Sequence, residues 1–241
     1  MSGHSKWNNI KHKKEKSDAA KAKIFTKIGK EMSVAIKAGG PDPTVNNKLR
    51  DLIAKAKANN VPNENIQRTI KKFSESNDVN YEEIIYEGYG PSGVAIIVET
   101  STDNRNRTAG NVRAWFNKYG GNLGQSGCVA YLFEEKGVIT IIDEDEEIDE
   151  DKIMEDALEC GAEDIKCDEG EYSIYTASED LDAVRDAVIA LGYKIDTADL
   201  AKVPSTYVAL DNPEDVENME KMLDKFNEDD DVTAVFTNWD N

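Results

Sequence analysis

The sequence is short of the residues on which most metal and nucleophile chemistry depends. Its 241 residues include two histidines and three cysteines. His4 and His12 lie eight positions apart with no carboxylate or cysteine placed as a companion ligand, a setting that suits phosphate contact or solvation better than metal binding. Cys128, Cys160 and Cys167 are odd in number and lack metal-ligand spacing, as expected of buried or free thiols in a reducing, cytoplasmic compartment. There is no GxSxG, no Walker loop and no HExxH, so the expectation is a protein that is not an enzyme and holds no metal or cofactor. No apolar run approaches the roughly 18 residues of a membrane span. The lysines of the N-terminus are followed by no apolar segment of the kind a signal peptide needs, so no membrane partner is expected.

Positive charge is also scarce, and it is not spread evenly. The chain carries 29 Lys and Arg against 48 Asp and Glu, a formal net charge of −19. Residues 1–72 hold seventeen of those bases and six of the acids, a net of +11; the rest hold twelve and forty-two, a net of −30. A polyanion would therefore be met by the first segment and repelled by most of the second. The opening stretch MSGHSKWNNIKHKK has no acid and contains one tryptophan. Lysines in such an arm suit phosphate neutralisation, and Trp7 offers a stacking face for an unpaired base, although an aromatic there can equally anchor the arm to its own domain.

Apolar periodicity divides the chain. KSDAAKAKIFTKIGKEMSVAIKAGG predicts a long helix, capped by Ser17 or Asp18 and ended by Gly39-Gly40, with Ile24, Ile28, Met32 and Ala35 on one face. Lys16, Lys23, Lys27, Lys30 and Lys37 fall within about 80° of each other on the other side, a stripe without acid and a candidate phosphate-binding surface. A second helix buries Val45, Leu49, Leu52, Ile53 and Ala56, and a third buries Ile66, Ile70 and Phe73. The two helices around Asn59–Pro62 make a possible helix-turn-helix, presenting Arg68, Lys71 and Lys72.

From Tyr81 the pattern becomes β-rich. IIYEGY and VAIIVETS read as a hairpin about the turn GPSG, followed by a helix capped by Asp103 with Val112 and Phe116 inside, then a strand CVAYLFEEK. GVITII opens a β-α-β-β-α-β series through residue 203, the ferredoxin-like order. The last strand-helix-strand completes the earlier hairpin. The expected architecture is thus multi-domain, α and α+β: a basic three-helix domain with its arm (1–76), a discontinuous α+β sandwich (81–134 with 205–241), and a ferredoxin-like domain (136–203) inserted into it. The acidic run Asp143–Asp151 lacks EF-hand spacing and reads as a solvated loop leading into a helix. Arg105, Arg107 and Arg113 form a second basic island, suited equally to anion binding at a helix start and to ion pairs with neighbouring acids.

MSGHSKWNNIKHKK, DAAKAKIFTKIGKE, VPNENIQRTIKK, YEGYGPSGVAIIVET and TDNRNRT closely resemble the YebC/PmpR family. That resemblance implies a helical domain plus two α/β domains. It also implies a regulator of gene expression, described as transcriptional in bacteria and as an activator of translation in mitochondria, with bacterial members linked to ribosomes stalled on proline-rich stretches. The family's basic signature falls here on His4, Lys6, Trp7, Lys11, His12, Lys13 and Lys14, and its TDNRNRT motif on Thr102–Thr108. Asn47-Lys48 and Phe73 depart from the family's usual residues. The expected partner is nucleic acid, either RNA with the ribosome or duplex DNA; a metabolite-sensing ferredoxin-like module is the alternative from another class. The sequence carries no signal for a particular oligomeric state.

Overall fold

The computed structural model describes residues 18–75, 80–143, 148–168 and 170–240, the side chains of 18–21 and 58 excepted. The arm positions His4, Lys6, Trp7, Lys11, His12, Lys13 and Lys14, together with Lys16 and the Ser17 or Asp18 cap, lie outside what it describes. The chain forms two compact units, one of residues 132–207 and one built mainly of 9–131 with 208–239.

In the larger unit, α1 (Asp18–Gly39), α2 (Asn47–Ala58) and α3 (Asn63–Glu75) enclose a core of Ile28, Met32, Leu49, Ala56, Ile66 and Ile70. Gly40, at φ 84°, ends α1 in the left-handed region that favours glycine. Asn46, buried at 6% exposure, joins the two helices. Its amide donates to the carbonyls of Ala35 and Gly40, both at 2.8 Å, and its oxygen accepts from the Leu49 N–H at 3.1 Å, capping α2. Helix α2 therefore starts two residues after Val45. That residue, expected on the apolar face, is 75% exposed, because the chain needs a polar cap where continued helix was expected. The α2–α3 turn lacks glycine, and Asn60 takes the left-handed conformation at φ 57°. Val61 N–H reaches the Ala56 carbonyl and Asn60 N–H that of Lys57, closing the helix in a Schellman motif with Val61 packed on the core.

The same unit contains the sheet β3-β1-β2-β9, made of β1 (Glu82–Tyr89), β2 (Ala95–Thr102), β3 (Asn122–Leu123) and, after the other unit, β9 (Val232–Thr237). All its neighbouring strands are antiparallel. Helix α4 (Arg105–Lys118) leads from β2 to β3, which sit on either side of β1, a split β-α-β arrangement. Helix α7 (Pro213–Glu228) precedes β9 and packs on α4 through Phe116 and Phe226, whose ring centres are 5.3 Å apart. Gly88 leaves β1 room for this packing: a Cβ there would lie 2.9 Å from the Phe116 ring. The buried Glu87 carboxylate accepts from the N–H groups of Gly127, Val129 and Ala130, which fixes the loop that follows β3.

The smaller unit is a ferredoxin-like sandwich: β4 (Phe133–Ile142), α5 (Glu150–Glu159), β5 (Asp164–Asp168), β6 (Glu171–Ala177), α6 (Leu181–Ala190) and β7 (Thr197–Pro204), with antiparallel order β5-β6-β4-β7. Here a sequence reading is corrected. CVAYLFEEK and GVITII are not two strands; Phe133–Ile142 is one, and Cys128–Leu132 lies outside it. The division expected between Lys136 and Gly137 is absent, because both residues pair with β7, at Ala201 and Leu200, as Glu134 and Glu135 do at Val203 and Lys202. Two-residue strands β8 (Val208–Ala209) and β10 (Trp239–Asp240) pair with each other. Among the described residues no helix is long and apolar enough to cross a membrane.

Glu171 stands out in this unit: it is 3% exposed, and its Oε2 has no hydrogen-bond partner. Burial, with the nearby charges of Asp168 and Asp196, pushes its carboxyl up to about 7. The folded acid thus holds its proton above the unfolded value near 4.5. The cost of ionising it is absent below that value, grows as pH rises towards 7, and is complete above it. Glu171→Gln is therefore expected to raise stability by about 1–3 kcal/mol at alkaline pH and to change little at acid pH, read by urea unfolding at several pH values.

Candidate nucleic-acid interface

The lysine stripe of α1 has an internal partner. Helix α7 ends at Glu228, leaving carbonyls that no further turn can satisfy. Lys23 Nζ donates to the Glu228 carbonyl at 2.5 Å, Lys27 to that of Asn227 at 3.0 Å, and Lys30 to that of Asp230 at 2.8 Å. Lys23 and Lys27, one helical turn apart, thereby cap the negative end of a helix dipole, and Lys30 holds the chain just beyond it. The surface expected to meet phosphates instead joins α1 to the segment between α7 and β9. Seen as sequence, the stripe was indistinguishable from a phosphate-binding face, because its partners lie about two hundred positions away in the chain.

The junction centres on Asp231, a residue that sequence reasoning missed. Its Oδ1 accepts from Lys30 at 2.7 Å, and its Oδ2 from Arg107 Nη2 at 2.5 Å, from Thr108 at 2.9 Å and from Thr102 at 3.2 Å. Asp231 is 4% exposed. Burial alone would raise its carboxyl, but hydrogen bonds from Lys30, Arg107 and Thr108 outweigh it and hold the group at about 2. Arg107 also reaches Asp103 at 2.8 Å, and its two acid partners raise its own pKa. The TDNRNRT stretch supplies the rest. Asn104, not Asp103 as expected, caps α4 by accepting from the Arg107 N–H, and Thr102 accepts from the Asn104 N–H. Asp103 is left to pair with Arg107. A signal for Asp231 was present only as part of the acidic run Glu228–Asp231, which reads as solvated charge.

The remaining candidates point elsewhere. Arg105 is 68% exposed and only within 4.0 Å of Glu82, a contact worth little in solvent. Arg113 is exposed on α4. Arg68, Lys71 and Lys72 are exposed on α3, Lys71 within 4.0 Å of the equally exposed Glu75, and Lys72 over the Phe73 ring. The structure therefore brings Lys23, Lys27, Lys30 and Arg107 together at one acidic junction, and leaves Arg68, Lys71 and Lys72 as a separate exposed row. Among the described residues no group of three or more His, Cys, Asp or Glu side chains is arranged to hold a metal ion.

These features define a multi-domain α and α+β protein: a helical layer fastened to one α+β sandwich, with a ferredoxin-like sandwich inserted in the chain between its strands. Residues 5–76 match the TACO1/YebC protein N-terminal domain, and residues 81–239 match the TACO1/YebC second and third domain. The chain belongs to the TACO1/YebC family. It is 53% identical to a protein of Acetivibrio thermocellus over 99% of both chains, and 54% identical to one of Agathobacter rectalis over the full length of both; each is named "Probable transcriptional regulatory protein". A solved structure, that of a conserved hypothetical protein from Aquifex aeolicus, is similar at 43% identity and a TM-score of 0.82, covering 92% of this chain and 91% of that one.

Proposed function

We propose that this protein is a non-enzymatic, nucleic-acid-binding regulator of gene expression in the cytoplasm, acting on RNA or the ribosome during translation. The observation that carries the reading is the placement of positive charge. Lys23, Lys27 and Lys30 of α1 are engaged at the Asp231 junction, which shifts the expected polyanion contact to the arm and the exposed row Arg68, Lys71 and Lys72, with Arg105 and Arg113 as a further contact. The unit of residues 132–207 holds six bases against twenty-four acids, a net of −18, and so discourages contact with nucleic acid away from those places. The relatives' printed names support regulation of gene expression. RNA is favoured by Trp7, because stacking needs an exposed base face, which a single strand or loop offers and a duplex does not.

A second reading, a DNA-binding transcriptional regulator, draws on the α2–α3 turn. Its Asn60 and Val61 hold two helices in sequence, with Arg68, Lys71 and Lys72 on the outer face of the second. One comparison separates the two. Stacking of a base on an aromatic is worth roughly 1–3 kcal/mol, so Trp7→Ala is expected to weaken binding to looped RNA by about five- to a hundredfold and to leave duplex DNA binding nearly unchanged at the same ionic strength. Preference of the wild type for a specific duplex by about a thousandfold, with Trp7→Ala neutral on both substrates, would replace the RNA reading by the DNA one.

A further inference from the structure

The outer surface between α4 and α7 carries an open groove of about 530 Å³, lined by Ala114, Trp115, Lys118, Lys225, Glu228 and Asp229. Trp115 is half-buried: its ring meets that of Phe226 edge to face, with centres 5.7 Å apart at 78°, and the same residue forms part of the groove wall. Packing on the core residue Phe226 fixes the indole, so a ligand would lose little of its binding energy in ordering it. Ala114 keeps the neighbouring position small. Lys118 and Lys225 line the same groove, one on each helix, with the Lys118 ammonium 5.3 Å from the centre of the Tyr119 ring. Lys225 is held at 2.6 Å by Glu228, and Asp229 accepts from Asn111 at 3.1 Å, so the acids at one end already have partners within the protein.

A fixed indole with two lysines beside it, in a groove of a size that suits small ligands, matches a flat aromatic ring joined to an anion. We infer that this groove is a binding site for an unpaired nucleotide of a single-stranded nucleic acid, its base stacked on Trp115 and its phosphate held by Lys118 and Lys225. The inference rests on the nucleic-acid reading above and adds a contact far in sequence from the arm. Glu228 acts as the competitor: its carboxylate occupies Lys225 until a phosphate replaces it.

The test uses the full chain with a fluorescently labelled short oligouridine, and oligothymidine beside it to separate the contribution of the sugar. Trp115→Ala is expected to weaken binding of both by about five- to a hundredfold. Lys118→Gln with Lys225→Gln, two changes at solvent-facing positions, is expected to lower the salt slope by about 0.7 for each lysine. Glu228→Gln removes the competitor while keeping the carbonyl that Lys23 uses, and is expected to tighten binding by about twofold. Ultraviolet crosslinking of the wild type should attach uridine to the peptide containing Trp115, a result that needs no variant to fold. Binding that Trp7→Ala weakens, but that the Trp115 and double-lysine variants leave unchanged, would overturn the groove and spare the arm. A wild type that binds no single strand at all would overturn both.

Discussion

Replacing Asp231 by alanine is expected to destabilise the larger unit by about 3–5 kcal/mol, the range for removing one partner of a buried ion pair. The change would remove the carboxylate that Lys30, whose side chain is 12% exposed, holds at 2.7 Å, and deprive Arg107, Thr102 and Thr108 of a shared acceptor. Lys23→Ala, by contrast, removes a side chain 37% exposed whose nearest carboxylate is 4.0 Å away, and should cost about 1 kcal/mol or less. Urea unfolding of both variants gives the comparison, and equal losses would show that Asp231 is not the centre of the junction. A pH series adds an independent sign. The folded Asp231 carboxyl lies at about 2, below its ordinary 3.8, so its contribution is full above 3.8 and is lost as pH falls towards 2. Asp231→Ala should flatten that acid limb. For the same reason, reversing Lys23, Lys27 and Lys30 to glutamate is expected to break the junction, setting carboxylates against the carbonyl end of α7; it would report on folding before it reported on binding.

Reversing Arg68, Lys71 and Lys72 to glutamate should do the opposite, leaving the fold intact and removing binding. All three are exposed, and the core face of α3 is formed by Ile66 and Ile70, so unfolding curves should shift little. If each base neutralises one phosphate, the salt slope should fall by about 2–3 in total, and affinity at 0.1 M salt should drop by about a hundredfold or more. The effect should be similar across sequences if the contacts are to phosphates, and concentrated on one duplex if α3 reads a groove. Undiminished affinity in this variant would confine the interface to the arm and α4.

Much of the architecture was legible because its periodicities are local. The apolar spacing of Ile28, Met32 and Ala35 fits a helix face, and the two β-rich runs on either side of the GPSG turn fit a hairpin. The insertion could be inferred from the order of strands and helices alone, since a ferredoxin-like series that closes on itself leaves the earlier hairpin without its last strand. The errors share a cause as well. Val45, Asp103 and the division between Lys136 and Gly137 were misread because a cap or a strand register is decided by a partner: Asn46 bonding to α1, Asn104 bonding to Arg107, β7 pairing alongside β4.

The candidate interface divides along the same line. The sequence by itself determined that positive charge is concentrated in the first third of the chain, that an arm with one tryptophan and no acid carries four of those bases, and that one face of α1 is lined with lysine. It could not determine which of those lysines are available, because charge at a position is a property of the residue whereas availability depends on what folds against it. Only the tertiary structure brings the carbonyls of Asn227, Glu228 and Asp230 to α1 and buries Asp231 among Lys30, Arg107, Thr102 and Thr108. A carbonyl left open at a helix end and a carboxylate removed from water must each find a donor, and in this fold the donors include Lys23, Lys27 and Lys30 of α1 and Arg107 of α4.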